Sequence, residues 1–229
     1  MATLSGGTTT SFTNTPQATD DFVKLSEDYF TATRTSYSFD VMSNDLGGKA
    51  KVLWSIDGVD SVTDTNTLQD LIGKYSGAVT SNRGATIEIV NGVVKYTPSA
   101  TILTSLQALN VGGVYEDTFT YAIKLANGTL SWATAKIYFN GTNDAAVIIG
   151  DTAGSADETN AAVTITGTLT ATDVDNTPGF QAQTLTGTKG SLSINTTGAW
   201  TFTANSAFNA LNVGHTETET FTVKSVDGT

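Results

Sequence analysis

Apolar and polar residues alternate along most of the chain, and a period of two is typical of β-strands that bury one face. The clearest run is 119–125, where Phe119, Tyr121 and Ile123 are separated by Thr120 and Ala122. Similar alternation occurs at 87–89, 94–96, 135–139, 163–171, 192–194, 200–202 and 221–223. Asn-Gly, Thr-Gly and Asp-Gly pairs separate these segments, as in antiparallel sheets joined by tight turns. The pattern therefore predicts an all-β chain.

One sequence unit occurs twice. The string Ala-Leu-Asn-Val-Gly stands at 108–112 and again at 210–214. The flanking segments match in the same order, with 92–97 matching 198–203, 117–121 matching 219–223 and 127–129 matching 227–229. A repeat of this density predicts two homologous domains.

The predicted organisation is an N-terminal strand or linker at 1–15, a first sandwich at 16–144 and a second at 145–229. Residues 57–84 have no counterpart in the second copy and are interpreted as an inserted loop. Within it, Thr67–Gly73 is expected to form a short helix that ends at a glycine cap. A packing plug over one end of the sandwich explains this loop more simply than a ligand site does.

The spacing of Leu109, Gly112 and Tyr115 just before a strand has the form of a tyrosine corner. This motif is typical of immunoglobulin-like Greek-key sandwiches. The second copy has Glu217 where Tyr115 stands, so the corner is expected in the first domain alone. The predicted fold is two tandem immunoglobulin-like β-sandwiches.

Composition supports this fold and narrows the function. The 229 residues include 43 Thr, a β-branched strand former, and the net charge is −11. A chain this acidic repels phosphate backbones, which argues against nucleic acid as a partner. The absence of cysteine excludes thiolate chemistry, and His215 is the single histidine. Carboxylate-only glycosidase chemistry survives this argument, but repeat-equivalent acidic loops suit a structural role better, and we predict no enzyme.

The sequence contains no apolar run long enough to span a bilayer, and its first residues lack the basic and apolar regions of a secretory signal peptide. An acidic, Thr-rich, cysteine-free β-protein is typical of bacterial surface proteins exported without a cleaved signal. We therefore expect an extracellular location.

The second copy, from Gly167-Thr-Leu-Thr-Ala-Thr-Asp-Val-Asp-Asn176 to Val226-Asp-Gly-Thr229, resembles a VCBS repeat of bacterial RTX-type adhesins and related surface proteins. The first copy, with Ser43-Asn-Asp45 and Gly141-Thr-Asn-Asp144, resembles the cadherin-like domains that alternate with such repeats. The resemblance implies type I secretion, tandem arrays, roles in adhesion and biofilms, and calcium at the joints between domains. It implies no catalysis.

The strand polarity of a seven-strand sandwich leads to the same calcium hypothesis. Loops A–B and E–F of the first domain would lie at the end that leads into the linker, and loops B–C and F–G of the second would lie at the end that follows it. The predicted calcium ligands at this junction are Glu27, Asp28, Glu116, Asp117, Asn143, Asp144, Asp173, Asp175 and Asp227. Calcium takes six to eight oxygen ligands, whereas the alternative is a solvated acidic rim without an ion.

Weaker acidic clusters are expected at the outer ends of the two domains. One comprises Asn14, Asp20, Asp21, Asn44 and Asp45, and the other comprises Asp157, Glu158 and Glu217. Each would face a neighbouring domain.

The second copy stops at the point where the first continues into a last strand, Ala133 to Phe139. Its sandwich is therefore expected to expose an edge. One explanation is a piece of a longer array. The other is a self-assembling filament or surface-layer subunit whose N-terminal strand, around Thr8 to Phe12, is donated to the next copy. Neighbouring repeats or copies of the chain are thus the expected partners. Surface glycans are a further candidate partner if Trp132 offers an exposed platform.

Overall fold

The structure is a computed structural model that describes residues 17–58, 71–74 and 77–229. The chain divides into two compact units: Met1–Leu106 with Gly113–Asn140, and Gln107–Gly112 with Gly141–Thr229. The N-terminal strand expected at 1–15 lies outside the described residues. The same holds for 67–70 of the expected helix, whose last residues, 71–73, form a turn.

The described residues of the first unit form a sandwich of two four-stranded sheets. One sheet contains, in spatial order, β1 (Asp21–Ser26), β8 (Leu130–Asn140), β7 (Val114–Lys124) and β3 (Val52–Asp57). The other contains β2 (Tyr37–Phe39), β6 (Val93–Thr97), β5 (Thr86–Val90) and β4 (Val79–Thr80). The described part of this unit also contains the 3-10 helices Glu27–Tyr29 and Gly48–Ala50 and the helix α1 (Ala100–Gln107).

β8 occupies the middle of its sheet. It pairs antiparallel with β7 from Val114 opposite Asn140 to Lys124 opposite Leu130, and parallel with β1 on its other side. Its inward residues Ala133, Ala135, Ile137 and Phe139 are at most 3% exposed. The alternation in the sequence therefore matches the buried face of this strand.

The second unit is built on one five-stranded sheet. Its strands are β9 (Val147–Gly150), β10 (Thr164–Thr172), β11 (Gln183–Thr186), β12 (Gly190–Ile194) and β13 (Ala199–Ala204), in the spatial order β11-β12-β13-β10-β9. Its core is the cluster of Leu169, Ala171, Phe180, Ile194 and Trp200. A single β-bridge joins Phe180 to Ser225, so the C-terminal segment covers part of the inner face of the sheet.

The alternation of Phe221 and Val223 predicts a strand, but the structure shows no ladder there. Both side chains still face the core: the Phe221 ring lies 5.9 Å from that of Phe202, and Val223 packs against the Trp200 cluster. In the first unit the matching segment is part of β7, which β8 and β3 flank on its two sides. No strand among the described residues flanks 219–223, so hydrophobic burial orients these residues without backbone pairing.

The architecture confirms the prediction of an all-β protein with immunoglobulin-like sandwiches. The tyrosine-corner interpretation was wrong in detail. The Tyr115 ring packs on Phe139 and beneath the Arg83 guanidinium, and among the described residues its hydroxyl makes no hydrogen bond to the backbone. The hydroxyl of Tyr121 does so instead, at 3.0 Å from the carbonyl oxygen of Thr19. Among the described residues, no helix is both long and apolar enough to cross a bilayer.

Candidate functional site

Predicted calcium ligands of the second unit lie in the loop that follows β10. Asp173 Oδ1 accepts hydrogen bonds from the backbone N–H groups of Asp175, at 3.1 Å, and Asn176, at 2.9 Å. An aspartate that bonds to the backbone two and three residues ahead fixes a tight turn. The loop therefore holds Asp175 and Asn176 in a defined place at the end of the sheet.

This loop is joined to the linker and the C-terminal turn by a hydrogen-bonded group that we call the rim network. Asn143 Nδ2 donates to Asp227 Oδ2 at 2.9 Å, and Asn143 Oδ1 accepts from Asn176 Nδ2 at 2.8 Å. The backbone N–H of Asp144 lies 3.4 Å from Asp175 Oδ2. The rim network comprises Asn143, Asp144, Asp173, Asp175, Asn176 and Asp227. The structure thus brings together all five predicted ligands that belong to the second unit.

Two of the rim carboxylates are held in the charged form. Hydrogen bonds from Asn143, Ser225 and Thr229 place the pKa of Asp227 well below its usual range. For Asp173, desolvation acts to raise the pKa, but the hydrogen bonds at Asp175 and Asn176 outweigh it and lower the pKa. Both side chains therefore remain anionic at neutral pH.

The rim network has the donor chemistry of a hard-cation site, because it offers carboxylate and amide oxygens only. Asp173, Asp175 and Asp227 form no salt bridge with any described basic residue. In the described part of the chain, however, no three carboxylate or histidine side chains are already grouped closely enough to hold a metal ion. The rim oxygens are engaged with one another through amide and hydroxyl donors.

The four predicted ligands of the first unit lie in different surroundings. Glu27 is buried in the 3-10 helix after β1, while the neighbouring Asp28 is exposed and its N–H donates to Ser26 Oγ. Glu116 and Asp117 are expected in a loop, but both lie within β7. Glu116 forms a salt bridge of 3.7 Å with Lys136 on the adjacent strand.

Asp117 is 1% exposed and accepts four hydrogen bonds. Ser81 Oγ and the Tyr96 hydroxyl donate to Oδ2 at 2.5 and 2.8 Å, and the N–H groups of Arg83 and Thr118 donate to Oδ1 at 2.8 Å each. This environment is that of a structural carboxylate. The signal was present in the sequence, because Asp117 stands in phase with the core residues Phe119 and Tyr121.

The weaker acidic cluster of the first unit is partly assembled as expected. The Tyr121 hydroxyl lies 2.7 Å from Asp21 Oδ2 and 3.1 Å from Asp45 Oδ1, and Asn44 Nδ2 donates to the carbonyl oxygen of Asp20. Desolvation, together with the charges of Asp45, Asp40 and Asp20, raises the pKa of Asp21 to about 6 although its hydrogen bond with Tyr121 opposes this. Nothing in the sequence indicated that the Tyr121 hydroxyl joins this cluster. That hydroxyl has a single proton, so it cannot donate to the carboxylates of Asp21 and Asp45 at the same time. Asn14, a further member of the predicted cluster, lies outside the described residues.

Two tryptophans of the first unit differ in accessibility. The Lys124 ammonium covers the Trp54 ring at 3.8 Å from its centre, whereas Trp132 on β8 is 50% exposed. Trp132 therefore presents an aromatic face on the surface of this unit.

Comparison with known sequences adds one assignment. Residues 143–229 match the family described as bacterial cadherin-like domain. No curated protein matches the chain. The match covers the rim network and all strands of the second unit, and it indicates an extracellular structural or adhesive module. The second unit is thus similar to bacterial cadherin-like domains.

Proposed function

We propose that the chain is an extracellular adhesive and structural module in which calcium binds the rim network of the second unit. The observation that carries this proposal is the hydrogen-bond network in which the amides of Asn143 and Asn176 join the linker to the carboxylates of the β10 loop and the C-terminal turn. Calcium bound there would tie the linker residues Asn143 and Asp144 to the body of the second unit. A linker held in this way stiffens a tandem array.

Electrostatics favours a calcium ion bound to the rim network over a rim network that is solvated by water alone. Asp173, Asp175 and Asp227 repel one another, and amide or hydroxyl donors supply only partial positive charge. A divalent cation would offset that repulsion and replace several of the present hydrogen bonds with direct oxygen contacts. Asn143, Asp144, Asp173, Asp175 and Asp227 would hold the ion. Glu27, Asp28, Glu116 and Asp117 remain predicted ligands, and the four bonds to Asp117 make it the least available of them.

The wider role follows the same proposal. The chain would act in tandem arrays at the bacterial cell surface, reach that surface by type I secretion without a cleaved signal, and contact neighbouring repeats. No catalytic step forms part of this function. The VCBS and RTX-adhesin resemblance of the second copy supports the assignment, as does the cadherin-like match over 143–229.

Thermal unfolding of the full chain in excess calcium and in chelator tests the proposal. A ligand present at a thousand times its dissociation constant adds about 4 kcal/mol of stability, which raises the melting temperature by several degrees. Asp173→Asn and Asp227→Asn should remove most of this rise, and Asp144→Ala should reduce it. The exposed Asp157→Asn, a carboxylate of the same unit outside the rim network, is the matched control. An identical melting temperature with and without calcium would contradict the site.

A carbohydrate-binding module is a second candidate, favoured by the exposure of Trp132. Aromatic faces on a β-sheet stack on sugar rings. Glycan-array binding that Trp132→Ala abolishes, while the fold stays intact, would select this function. Unchanged binding in that variant would exclude Trp132 as the platform.

The self-assembling filament remains the structural alternative. It predicts a concentration-dependent polymer in electron micrographs, formed through the N-terminal strand of each copy. A chain that stays monomeric at high concentration would argue against it.

A further inference from the structure

Two exposed aromatic rings lie on the outer face of the β1-β8-β7-β3 sheet of the first unit. Trp132 of β8 is 50% exposed, and Phe22 of β1 is 68% exposed. Phe22 pairs with Lys136, which follows Trp132 on β8 by an even number of residues, so both rings belong to the same face. At 3.2–3.4 Å for each residue of a strand, the two places are about 13 Å apart along β8. A short extended oligosaccharide spans such a distance.

Each of these rings has a lysine beside it. Lys124 of β7 pairs with Leu130 of β8 and is therefore a diagonal neighbour of Trp132, at a separation that long side chains bridge. Phe22 stands directly opposite Lys136 in the ladder between β1 and β8. The face thus repeats one arrangement, an aromatic ring next to an ammonium group, at two places along β8.

The positive charge on this face is largely free to meet a ligand. The Lys124 ammonium lies 3.8 Å from the centre of the Trp54 ring, a cation–π contact that holds the group without neutralising it. Lys24, an exposed residue of the same face, and Lys124 form no salt bridge with any described acidic residue. Lys136 has a bridge of 3.7 Å to Glu116, and a half-exposed pair of this kind contributes little.

The surroundings of the two aromatic–lysine pairs are polar but carry few carboxylates. Asp20, which precedes β1, accepts a hydrogen bond from the N–H of Thr134 at 2.8 Å. Thr120 is opposite Thr134 in the ladder and Thr118 is opposite Lys136, so threonines lie between the two pairs. The net charge of −11 acts mainly at long range, because charges farther apart than about 8 Å are largely screened at physiological ionic strength.

We propose that this face binds an acidic polysaccharide built of uronic acids, whose rings stack on Trp132 and Phe22 and whose carboxylates bind Lys124 and Lys136. The inference rests on the carbohydrate-binding function given above as the second candidate, and it adds the class of glycan. Hydrogen bonds between ammonium and carboxylate groups are roughly twice as strong as those between neutral groups. A neutral glycan would gain the stacking but not this contribution.

Calorimetric titration of the full chain tests the class of glycan. The two probes are an oligogalacturonate and the same oligosaccharide after its carboxyl groups have been reduced to alcohols. Both titrations are made in chelator, because calcium cross-links uronates and also binds in the separate proposal for the rim network. The acidic probe should bind at least tenfold more tightly than the reduced one. Trp132→Ala should abolish the binding of both.

Further variants separate charge from stacking. Lys124→Gln keeps a polar side chain without the charge, and it should weaken the acidic probe at least fivefold while leaving the reduced probe unchanged. Lys95→Gln, on the opposite sheet, is the matched control and should change neither affinity. Phe22→Ala should weaken the oligogalacturonate but not a digalacturonate, since a disaccharide is too short to reach both rings. Unchanged melting temperatures would show that these variants are folded.

The possible results distinguish this inference from the function on which it rests. If Trp132→Ala abolishes binding, but the two probes bind equally and Lys124→Gln has no effect, the carbohydrate-binding function stands and the acidic class is wrong. Absence of binding by either probe would contradict both. Tighter binding of single-stranded DNA that depends on Trp132 and Lys124 would identify a nucleic-acid surface and would overturn the proposal.

Discussion

Asp117 and Glu219 stand at matching positions of the repeat, and each carboxylate holds the turn between two strands of its own unit. Asp117 binds Ser81 and the N–H of Arg83 between β4 and β5, and Glu219 binds the N–H groups of Thr188 and Lys189 between β11 and β12. The parallel extends to the preceding residue. Arg83 Nε donates to the carbonyl oxygen of Glu116, and Lys189 Nζ donates to that of Thr218. Both copies of the repeat thus contain a carboxylate that holds a turn by hydrogen bonds, together with a basic side chain from that turn.

Replacing this carboxylate by its amide should cost different amounts of stability in the two units. Asp117→Asn replaces an acceptor oxygen with an amide donor that faces buried N–H and O–H groups, and should destabilise the first unit by about 2–3 kcal/mol. Glu219→Gln should lower the stability of the second unit by less, because that carboxylate is far more exposed. Peptide-resolved hydrogen exchange separates the two units.

Glu88→Gln serves as the control for this pair of variants, since Glu88 makes a half-exposed salt bridge with Lys95. Its effect on stability should be small. A cost for Asp117→Asn no larger than that of the control would contradict the structural role of Asp117.

Asp21 predicts an unusual gain in stability on mild acidification. Its pKa of about 6 in the folded protein lies above the ordinary value of 3.8, so the folded state binds the proton more tightly than the unfolded state. The stabilising effect of this proton is fully present below about pH 4 and is lost as the pH rises through 6. Lowering the pH from 7 to 5 should therefore stabilise the first unit by about 1 kcal/mol.

Asp21→Asn should flatten this pH dependence and raise the melting temperature at pH 7, because Asn keeps an acceptor for Tyr121 without the charge. Thermal unfolding in chelator, read by hydrogen exchange in β1 and β8, measures both effects. If the melting temperature of the wild type instead fell steadily from pH 7 to 5, Asp21 would still be ionised at pH 5, which would contradict its raised pKa.

The fold was largely predictable because apolar residues recur at every second position, the spacing at which the residues of a strand face the core. Ala133, Ala135, Ile137 and Phe139 alternate without interruption, and all four are buried. Asp117 broke that pattern: a carboxylate suggested a loop, yet its phase with Phe119 placed it in the core, where buried donors satisfy it. The loop at Asp173–Asn176 was predictable since an Asp-x-Asp-Asn sequence after a strand favours a turn.

The bonds among Asn143, Asn176 and Asp227 were beyond prediction, because amide contacts between distant segments depend on side-chain positions within an ångström. The same holds for the sharing of Tyr121 between Asp21 and Asp45. Both arrangements arise from packing between distant segments, and the pattern of apolar and polar residues along the chain carries no information about such contacts.

Asp227 predicts the opposite response to acid in the second unit. Its pKa is depressed, so the stabilisation is present above about pH 4 and is lost as the pH falls through the lower folded value. The protection of the amides around Ser225–Thr229 in chelator, taken as the ratio of the intrinsic to the observed exchange rate, should therefore fall below pH 4. Asp227→Asn should show fast exchange already at neutral pH, since the Ser225 and Thr229 donors lose their carboxylate. PH-independent protection of this turn would contradict the assigned hydrogen bonds.

Gly167 and Trp200 predict a measurable coupling in the core of the second unit. The two residues face each other across β10 and β13, and a Cβ added at Gly167 would lie 2.5 Å from Trp200 Cε2 and 2.8 Å from Asp151 Cβ. Gly167→Ala should therefore destabilise the second unit by about 1–3 kcal/mol through overpacking.

A double-mutant cycle with Trp200→Phe isolates this contact. Phe lacks the outer ring of the indole, so the cost of Gly167→Ala should be smaller in that background, by about 1 kcal/mol. Gly84→Ala, a change in the first unit, is the control. In urea unfolding its cost in free energy should simply add to that of Gly167→Ala. Additive costs for Gly167→Ala and Trp200→Phe would contradict the close packing. A positive coupling would show that Gly167 is needed because the Trp200 ring lies against the backbone of β10.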